Sequence, residues 1–303
     1  MADRPLTPPT APTAPAPAPV PAAPAAGTGP SALAVLTALA GSGEVLVLSP
    51  HPDDAVLSCG ALLRRLADRT AVTVMTVFTE AAPPPYTLSA RQFLRQTGAV
   101  DAEELYAARR AEDAAVLGRL GVARFHAGFV DGLFRRDAEP ARWRRRAARL
   151  LPEVGHVYPT YRLHLARGRV APRDAETVRR VTDTVRELLA PGQGVLLAPL
   201  GVGGHADHVL VRTAAGLSGL PAVYYSDFPY NLRAAPDPAF TGPLAATELS
   251  FARGLDAKAE LVRGYRTQVG ALFPDGTVPR VPEVYLVPAG VLGAPDRPSG
   301  GVS

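Results

Sequence analysis

The apolar run Val45-Leu46-Val47-Leu48 stops at Ser49-Pro50-His51-Pro52-Asp53-Asp54, and this junction constrains the fold more than any other stretch. Four consecutive apolar residues without polar alternation read as a buried strand. The residues that follow, Ala55 to Leu66, carry apolar side chains at helical spacing. A buried strand running straight into a helix belongs to the strand–helix–strand unit of a parallel sheet. It also sets ionisable groups at a strand's carboxyl end, the edge where open α/β sheets bind ligands. His51 and Asp54 stand three residues apart in a turn entering a helix. That spacing lets both aim at one spot, as two ligands of one metal must.

The alternation continues along the chain. Ser31 reads as the N-cap of a helix through Ala40. Ala71 to Phe78, Val122 to Phe129, Gly194 to Pro199, Ala222 to Tyr225 and Glu283 to Val287 read as strands. Helices are expected over Asp101–Leu120 (ended by Gly121), Ala141–Leu151, Asp174–Leu189, Asp207–Leu217 and Asp256–Gln268. Thr79 to Val100, with its Pro83-Pro84-Pro85, reads as a mobile loop over the site; Val154–Val170 shows no clear pattern. The expected fold is therefore α/β: a Rossmann-like, mostly parallel sheet with helices on both faces. One domain is expected over residues 31–295. Residues 1–30, almost entirely Pro, Ala and Thr, cannot bury enough apolar surface to offset ordering and are expected to be a disordered tail. Residues 296–303 are expected to be a flexible C-terminal tail.

Composition narrows the function classes. No apolar run approaches a membrane span, and the proline-broken N-terminus lacks the apolar core of a signal peptide. The net charge of +4 comes almost wholly from arginines spread over several helices, not from a basic face interleaved with aromatics, so nucleic-acid binding is not expected. Cys59 is the only cysteine, which leaves no disulfide framework and no thiolate zinc site. It reads as a packing residue, and a reducing cytoplasm is the expected compartment.

A second constellation repeats the logic of the first. The strand Val195–Ala198 leads into Pro199-Leu200-Gly201-Val202-Gly203-Gly204-His205-Ala206-Asp207-His208 and then a helix. Three of the six histidines lie in these two segments. Taken singly, His205 and His208 could as well cap a helix; paired with His51-Pro52-Asp53-Asp54 at another strand end, the cluster points to a shared site.

With these two motifs the chain resembles the PIG-L/LmbE-like family of zinc-dependent deacetylases that act on N-acetylglucosamine-type sugars. The resemblance extends through Arg109-Arg110-Ala111-Glu112-Asp113, Leu117-Gly118, Asp131-Gly132 and the segment Tyr265 to Phe273, and covers about residues 43–275. It implies His51, Asp54 and His208 as metal ligands and Asp53 as general base. It implies His205 as oxyanion stabiliser or acid, and Asp207 as the group orienting a motif histidine. Arg109 and Asp131 match positions that contact the sugar in relatives, and Asp227, in Asp227-Phe228-Pro229-Tyr230, is a candidate to touch substrate or simply to form a turn. Two departures stand out. Ala55 replaces a Glu that often follows the aspartate pair, and Gly203 replaces a Tyr that some relatives carry, a role Tyr86 or Tyr161 could fill.

Two imidazoles and a carboxylate leave zinc an open position for water, the pattern of a catalytic site. The expected reaction is hydrolysis of the N-acyl group of a small amino sugar or amino-sugar metabolite, with Asp53 taking the water's proton and a protonated His205 facing the oxyanion. Zinc is the expected cofactor, with ferrous iron as the alternative. Rival readings are an amidase of a thiol conjugate on the same site, a two-histidine-one-carboxylate iron oxygenase, and a sugar-binding module without catalysis.

Overall fold

The computed structural model describes residues 31–291 except Ser42. The tails expected at 1–30 and 296–303 lie outside the described residues. The strands are β1 (Glu44–Ser49), β2 (Ala71–Glu80), β3 (Ala123–Val130), β4 (Gly194–Pro199), β5 (Ala222–Tyr225), β6 (Thr247–Phe251) and β7 (Glu283–Val287). The helices are α1 (Ala32–Ala40), α2 (Asp54–Leu66), α3 (Leu88–Thr97), α4 (Ala102–Leu120), α5 (Arg142–Ala147), α6 (Ala175–Leu188), α7 (Ala206–Ser218), the single turn α8 (Pro238–Thr241), α9 (Leu255–Val262) and α10 (Arg266–Leu272).

Among the described residues the strands form one sheet in the order β3-β2-β1-β4-β5-β7-β6. The first five run parallel, with Val45 opposite both Val72 and Val195, and β7 and β6 complete the edge antiparallel. Because a strand's side chains alternate between faces, the sheet has two cores. Val45 and Val47 face one side, packed with Leu62 of α2, Leu117 of α4 and Val262 of α9. Leu46 and Leu48 face the other, against Val181 of α6 and Leu210 of α7. From β1 the chain winds one way to β2 and β3, then returns to lay β4 on β1's other side. The gap above β1 and β4 is thus the topological switch point at which such sheets bind ligands.

β6 is an edge strand with no counterpart among the expected strands, and three further segments differ from the sequence-based expectation, each for a physical reason. The stretch expected to be a loop over 79–100 contains α3. Thr87 caps it, its Oγ1 accepting from the amide of Ala90 at 3.1 Å, and Gly98 ends it at φ 70°. Its buried face is only Ala90 and Leu94, a short stripe hidden among Gln and Arg. It joins a third cluster with Tyr106, Phe134 and Leu165 that walls the carboxyl edge of the sheet. The helix expected over Asp256–Gln268 is broken into α9 and α10. Gly264 lies so close to α4 that a Cβ there would fall 2.5 Å from Val116, and Tyr265 turns inward to donate its hydroxyl to Asp113 at 2.9 Å. Finally, α5 is shorter than the expected Ala141–Leu151 because none of its residues is buried, so no core face extends it. No helix among the described residues is long and apolar enough to cross a membrane.

Candidate metal centre and active site

β1 and β4 are direct neighbours, so the turns at their carboxyl ends meet. His51 and Asp54 come from the turn after β1; His205, Asp207 and His208 come from the start of α7. All are buried, His205 being the most open at 9 % exposed.

The site is tightly bonded. Asp54 Oδ2 accepts from the His51 amide at 2.9 Å and lies 3.1 Å from His51 Nδ1 and 3.3 Å from His208 Nε2. His51 Nε2 is 3.2 Å from Asp207 Oδ2 and 3.3 Å from Asp131 Oδ2. His208 Nδ1 donates to Asp227 Oδ1 at 2.7 Å. His51 and His208 thus each have a carboxylate on the nitrogen turned away from Asp54, the support that fixes the ring and tautomer of a metal-ligating histidine.

Two trios of donors lie within 4.8 Å of one another, His51-Asp54-His208 and His51-His205-Asp207. The bonding separates them. In the second trio Asp207 already serves Arg135 and accepts from the amide of Gly132 at 2.7 Å, while His205 Nδ1 accepts from the Asp207 amide at 3.2 Å. In the first, His208 Nε2 is buried without any hydrogen-bond partner, which a native interior rarely tolerates unless something binds there. Donors held at about 2.0–2.2 Å around a tetrahedral ion stand roughly 3.3–3.6 Å apart, close to the 3.1 and 3.3 Å that separate Asp54 Oδ2 from His51 Nδ1 and His208 Nε2. Asp53, Asp54, Asp131 and Asp207 converge here with Arg109 and Arg135 beside them, a carboxylate-rich setting that suits a cation once His51 gives up its proton. The residues therefore fit a divalent metal.

Electrostatics gives each group a distinct state. Burial works against charge on His51, but Asp131, Asp207 and Asp54 outweigh it and push its pKa up to about 10. Burial and the adjacent Asp54 carboxylate push Asp53 up to about 7, against the pull of Arg109 3.7 Å away and of His51. Although burial disfavours its charge, Asp54 is held far below the usual carboxylate range by His208 and His51. His205 is pulled down to about 3 by burial and by His51. It is therefore neutral near pH 7, unlike the imidazolium expected from sequence. Since its Nδ1 accepts a backbone hydrogen bond, its one N–H is on Nε2. Asp53 also sits at φ 136°, ψ −36°, a conformation costing about 1–3 kcal/mol that the surrounding structure must hold.

A cavity of about 770 Å³ opens above these groups, with His51, Asp53, Asp54, Arg109, Asp131 and His205 at its floor. Arg109 Nε is buried and unpartnered, and Asp131 is fixed by the Tyr106 hydroxyl and by the amide of Leu133. Asp227 is elsewhere: 1 % exposed, it stands behind His208 and accepts from the Val202 amide at 2.9 Å. Of the tyrosines considered for the position of Gly203, Tyr161 lines the cavity, whereas Tyr86 does not and turns its hydroxyl to the Ala102 amide. Tyr230 fills the space beside Gly203, where a Cβ would meet its ring at 3.0 Å. Gln268, which has the spacing of a helix-packing residue, also lines the cavity.

Sequence reasoning missed Arg135 and Asp174. Arg135 bonds both Asp174 and Asp207 and stacks 4.5 Å over Phe78, anchoring Asp207 in turn against His51. Arg135 follows Asp131-Gly132 closely in sequence, but nothing local marks its reach to α7.

The family profile described as PIG-L, GlcNAc-PI de-N-acetylase, matches residues 46–216. The chain belongs to the PIG-L family. It is 34% identical over 196 residues to the 2'-N-acetylparomamine deacetylase of Streptomyces fradiae, a match covering 62% of this chain. The chain spans only 58% of the length of that relative. Among solved structures it resembles the zinc-inhibited form of teicoplanin deacetylase, with a TM-score of 0.63 at 23% identity over 80% of this chain and 97% of that one. It also resembles the deacetylase of the A40926 pseudoaglycone, with a TM-score of 0.56 at 25% identity over 81% and 97% of the two chains. These PIG-L neighbours share the α/β fold with its parallel sheet.

Proposed function

We propose that this PIG-L protein is a metal-dependent hydrolase that removes the N-acetyl, or another N-acyl, group from an amino sugar or amino-sugar-containing metabolite. The observation that carries the reading is the partnerless Nε2 of His208, buried beside Asp54 and His51 at the floor of a cavity. The deacetylase names of the relatives, one acting on an acetylated paromamine and others on teicoplanin and A40926 pseudoaglycone, support the same chemistry.

In this reading His51, Asp54 and His208 hold the ion, and zinc suits two imidazoles and a carboxylate. Bound there, zinc supplies Lewis acidity that polarises an amide carbonyl and makes hydroxide available near pH 7. The chain's own residues do the rest. Asp53, poised near 7, accepts the proton of the attacking water and can return it to the departing amine. The Nε2–H of neutral His205 donates to the oxyanion that forms on the carbonyl. Asp207, locked by Arg135, keeps the His51 ring turned so that Nδ1 faces the ion. Arg109 and Asp131 offer a donor and an acceptor to sugar hydroxyls. The donors stand on an open parallel sheet, not on the β-barrel scaffold usual for iron oxygenases. The single, buried Cys59 supports a place in the reducing cytoplasm.

The test is amine release from a panel of N-acetylated sugars by zinc-loaded protein, with and without chelator. Release that stops on chelation and returns with zinc supports the reading; release that chelator leaves intact refutes it. His208→Ala is expected to abolish metal content by metal analysis.

A further inference from the structure

We propose that α5 and the turn after it form a peripheral docking surface for an anionic phospholipid bilayer, with Trp143 and Leu150 set into the interface and arginines against the lipid phosphates. None of the six residues of α5 is buried. Helical hydrogen bonding nevertheless runs on past it: the Ala148 amide donates to the Arg144 carbonyl at 2.8 Å and the Leu151 amide to that of Ala147 at 2.9 Å. A helix in a globular protein draws most of its stability from packing an apolar face. This one leaves its apolar stripe in water. Trp143, Ala147, Leu150 and Leu151 recur at i, i+4, i+7 and i+8, one side of a helix. Trp143 is 65 %, Leu150 92 % and Leu151 54 % exposed.

The charge around the stripe selects the partner. From Arg136 to Leu151 the chain carries six arginines against two carboxylates, Asp137 and Glu139. Asp137 lies 3.5 Å from Arg173, outside the segment. Among the described residues, Arg142, Arg145, Arg146 and Arg149 pair with no carboxylate. A strongly basic helix with Trp and Leu on one side lies in the plane of a membrane interface, where the indole settles at headgroup level. Long arginine stems let the guanidinium groups reach the phosphates while the leucines face the acyl boundary. The cytoplasmic leaflet is anionic and attracts such arginines. No helix among the described residues is long and apolar enough to cross the bilayer, so the contact lies on the membrane and does not span it. A nucleic acid would answer the arginines and leave Leu150 and Leu151 in water; an acyl boundary edged with phosphate answers both.

Trp143 is the chain's only tryptophan, so zinc-loaded, full-length protein reports on this surface without a label. Vesicles of phosphatidylcholine with one-third phosphatidylglycerol, at low salt, are expected to shift Trp143 emission to the blue and shield it from acrylamide. Partition onto them should be at least about tenfold stronger than onto pure phosphatidylcholine vesicles and should weaken as salt rises. Two pairs of exposed residues separate charge from insertion. Arg145→Gln with Arg146→Gln is expected to weaken partition about 25-fold, roughly fivefold for each arginine near the surface. Leu150→Ser with Leu151→Ser keeps the charge and should abolish the shielding. Neither pair lines the cavity, so amine release in vesicle-free solution is expected to stay at the parent level, which keeps docking apart from the chemistry at the cavity floor. Equal partition onto neutral and anionic vesicles overturns the proposal, as does vesicle binding that leaves Trp143 emission unmoved or that the leucine pair does not alter. A Trp143 shift with RNA or polyglutamate but not with vesicles also overturns it, in favour of a macromolecular partner.

Discussion

Replacing Asp227 with Asn tests a carboxylate that stays out of the cavity yet governs His208. Its Oδ1 accepts from His208 Nδ1 at 2.7 Å and its Oδ2 from the Val202 amide at 2.9 Å. That double acceptance keeps the His208 proton on Nδ1 and leaves the Nε2 lone pair for an ion. Asn has one acceptor oxygen. If it serves Val202, the amide NH₂ faces Nδ1 and drives the ring proton to Nε2, which blocks the ligand atom. If it serves His208, two donors confront each other at Val202, and an unpaired buried N–H costs about 1–3 kcal/mol. Losing such a supporting carboxylate typically weakens metal binding about 10- to 100-fold, or roughly 1.4–2.7 kcal/mol. Competition against a chromophoric chelator at neutral pH reads this directly, and urea unfolding of the metal-free protein checks that the fold survives. Zinc affinity within twofold of the unsubstituted protein would refute the tautomer argument and, with it, His208 as a ligand through Nε2.

Three further outcomes are expected. Asp53→Asn should retain zinc while losing about 10²–10⁴-fold in turnover, the usual contribution of a positioned base; full activity at saturating zinc removes Asp53 from that role. Zinc binding should release protons and tighten with rising pH, because His51, held up to about 10 by the surrounding carboxylates, must yield its Nδ1 proton to the ion. Calorimetry in two buffers of different ionisation enthalpy measures the count, and pH-independent binding sinks the assignment. Arg135→Met should cost about 3–5 kcal/mol by leaving Asp207 and Asp174 buried without their partner. Despite its burial, Asp207 is held below its ordinary pKa by Arg135. Its contribution is therefore complete above about pH 4 and fades as pH falls below that, so the gap between variant and parent in urea should narrow in acid. A gap that widens in acid contradicts the pairing.

Much of the site was legible in the sequence because both motifs are local. Val45–Leu48 and Val195–Ala198 are apolar enough to be buried strands, and each delivers its His and Asp within ten residues. What was hidden depends on contacts that cross the chain. Asp207 meets His51 across 156 residues, and Asp227 meets His208 across 19; an Asp before Phe228-Pro229 has the local signature of a turn. Arg135 is one arginine among many until packing sets it over Phe78. α3 is disguised because its outer face is Gln and Arg and only a narrow stripe is apolar, while the proline run before it masks its caps, Thr87 and Gly98. The break before Tyr265 could not be read either, since it answers to Val116 on a different helix.

The register of β1 against β4 carries a consequence for biosynthesis. The first motif leaves the ribosome about 150 residues before the second, and neither strand turn holds a complete donor set. A nascent chain that has released β1, β2 and β3 has half a cradle, with Asp54 and His51 facing no counterpart. With the ligand set proposed above, ion capture waits until Val195–His208 has been translated and slotted beside Glu44–Ser49. Such distant pairing is slow to form, so a chain truncated anywhere before α7 will be metal-blind however well its first half folds.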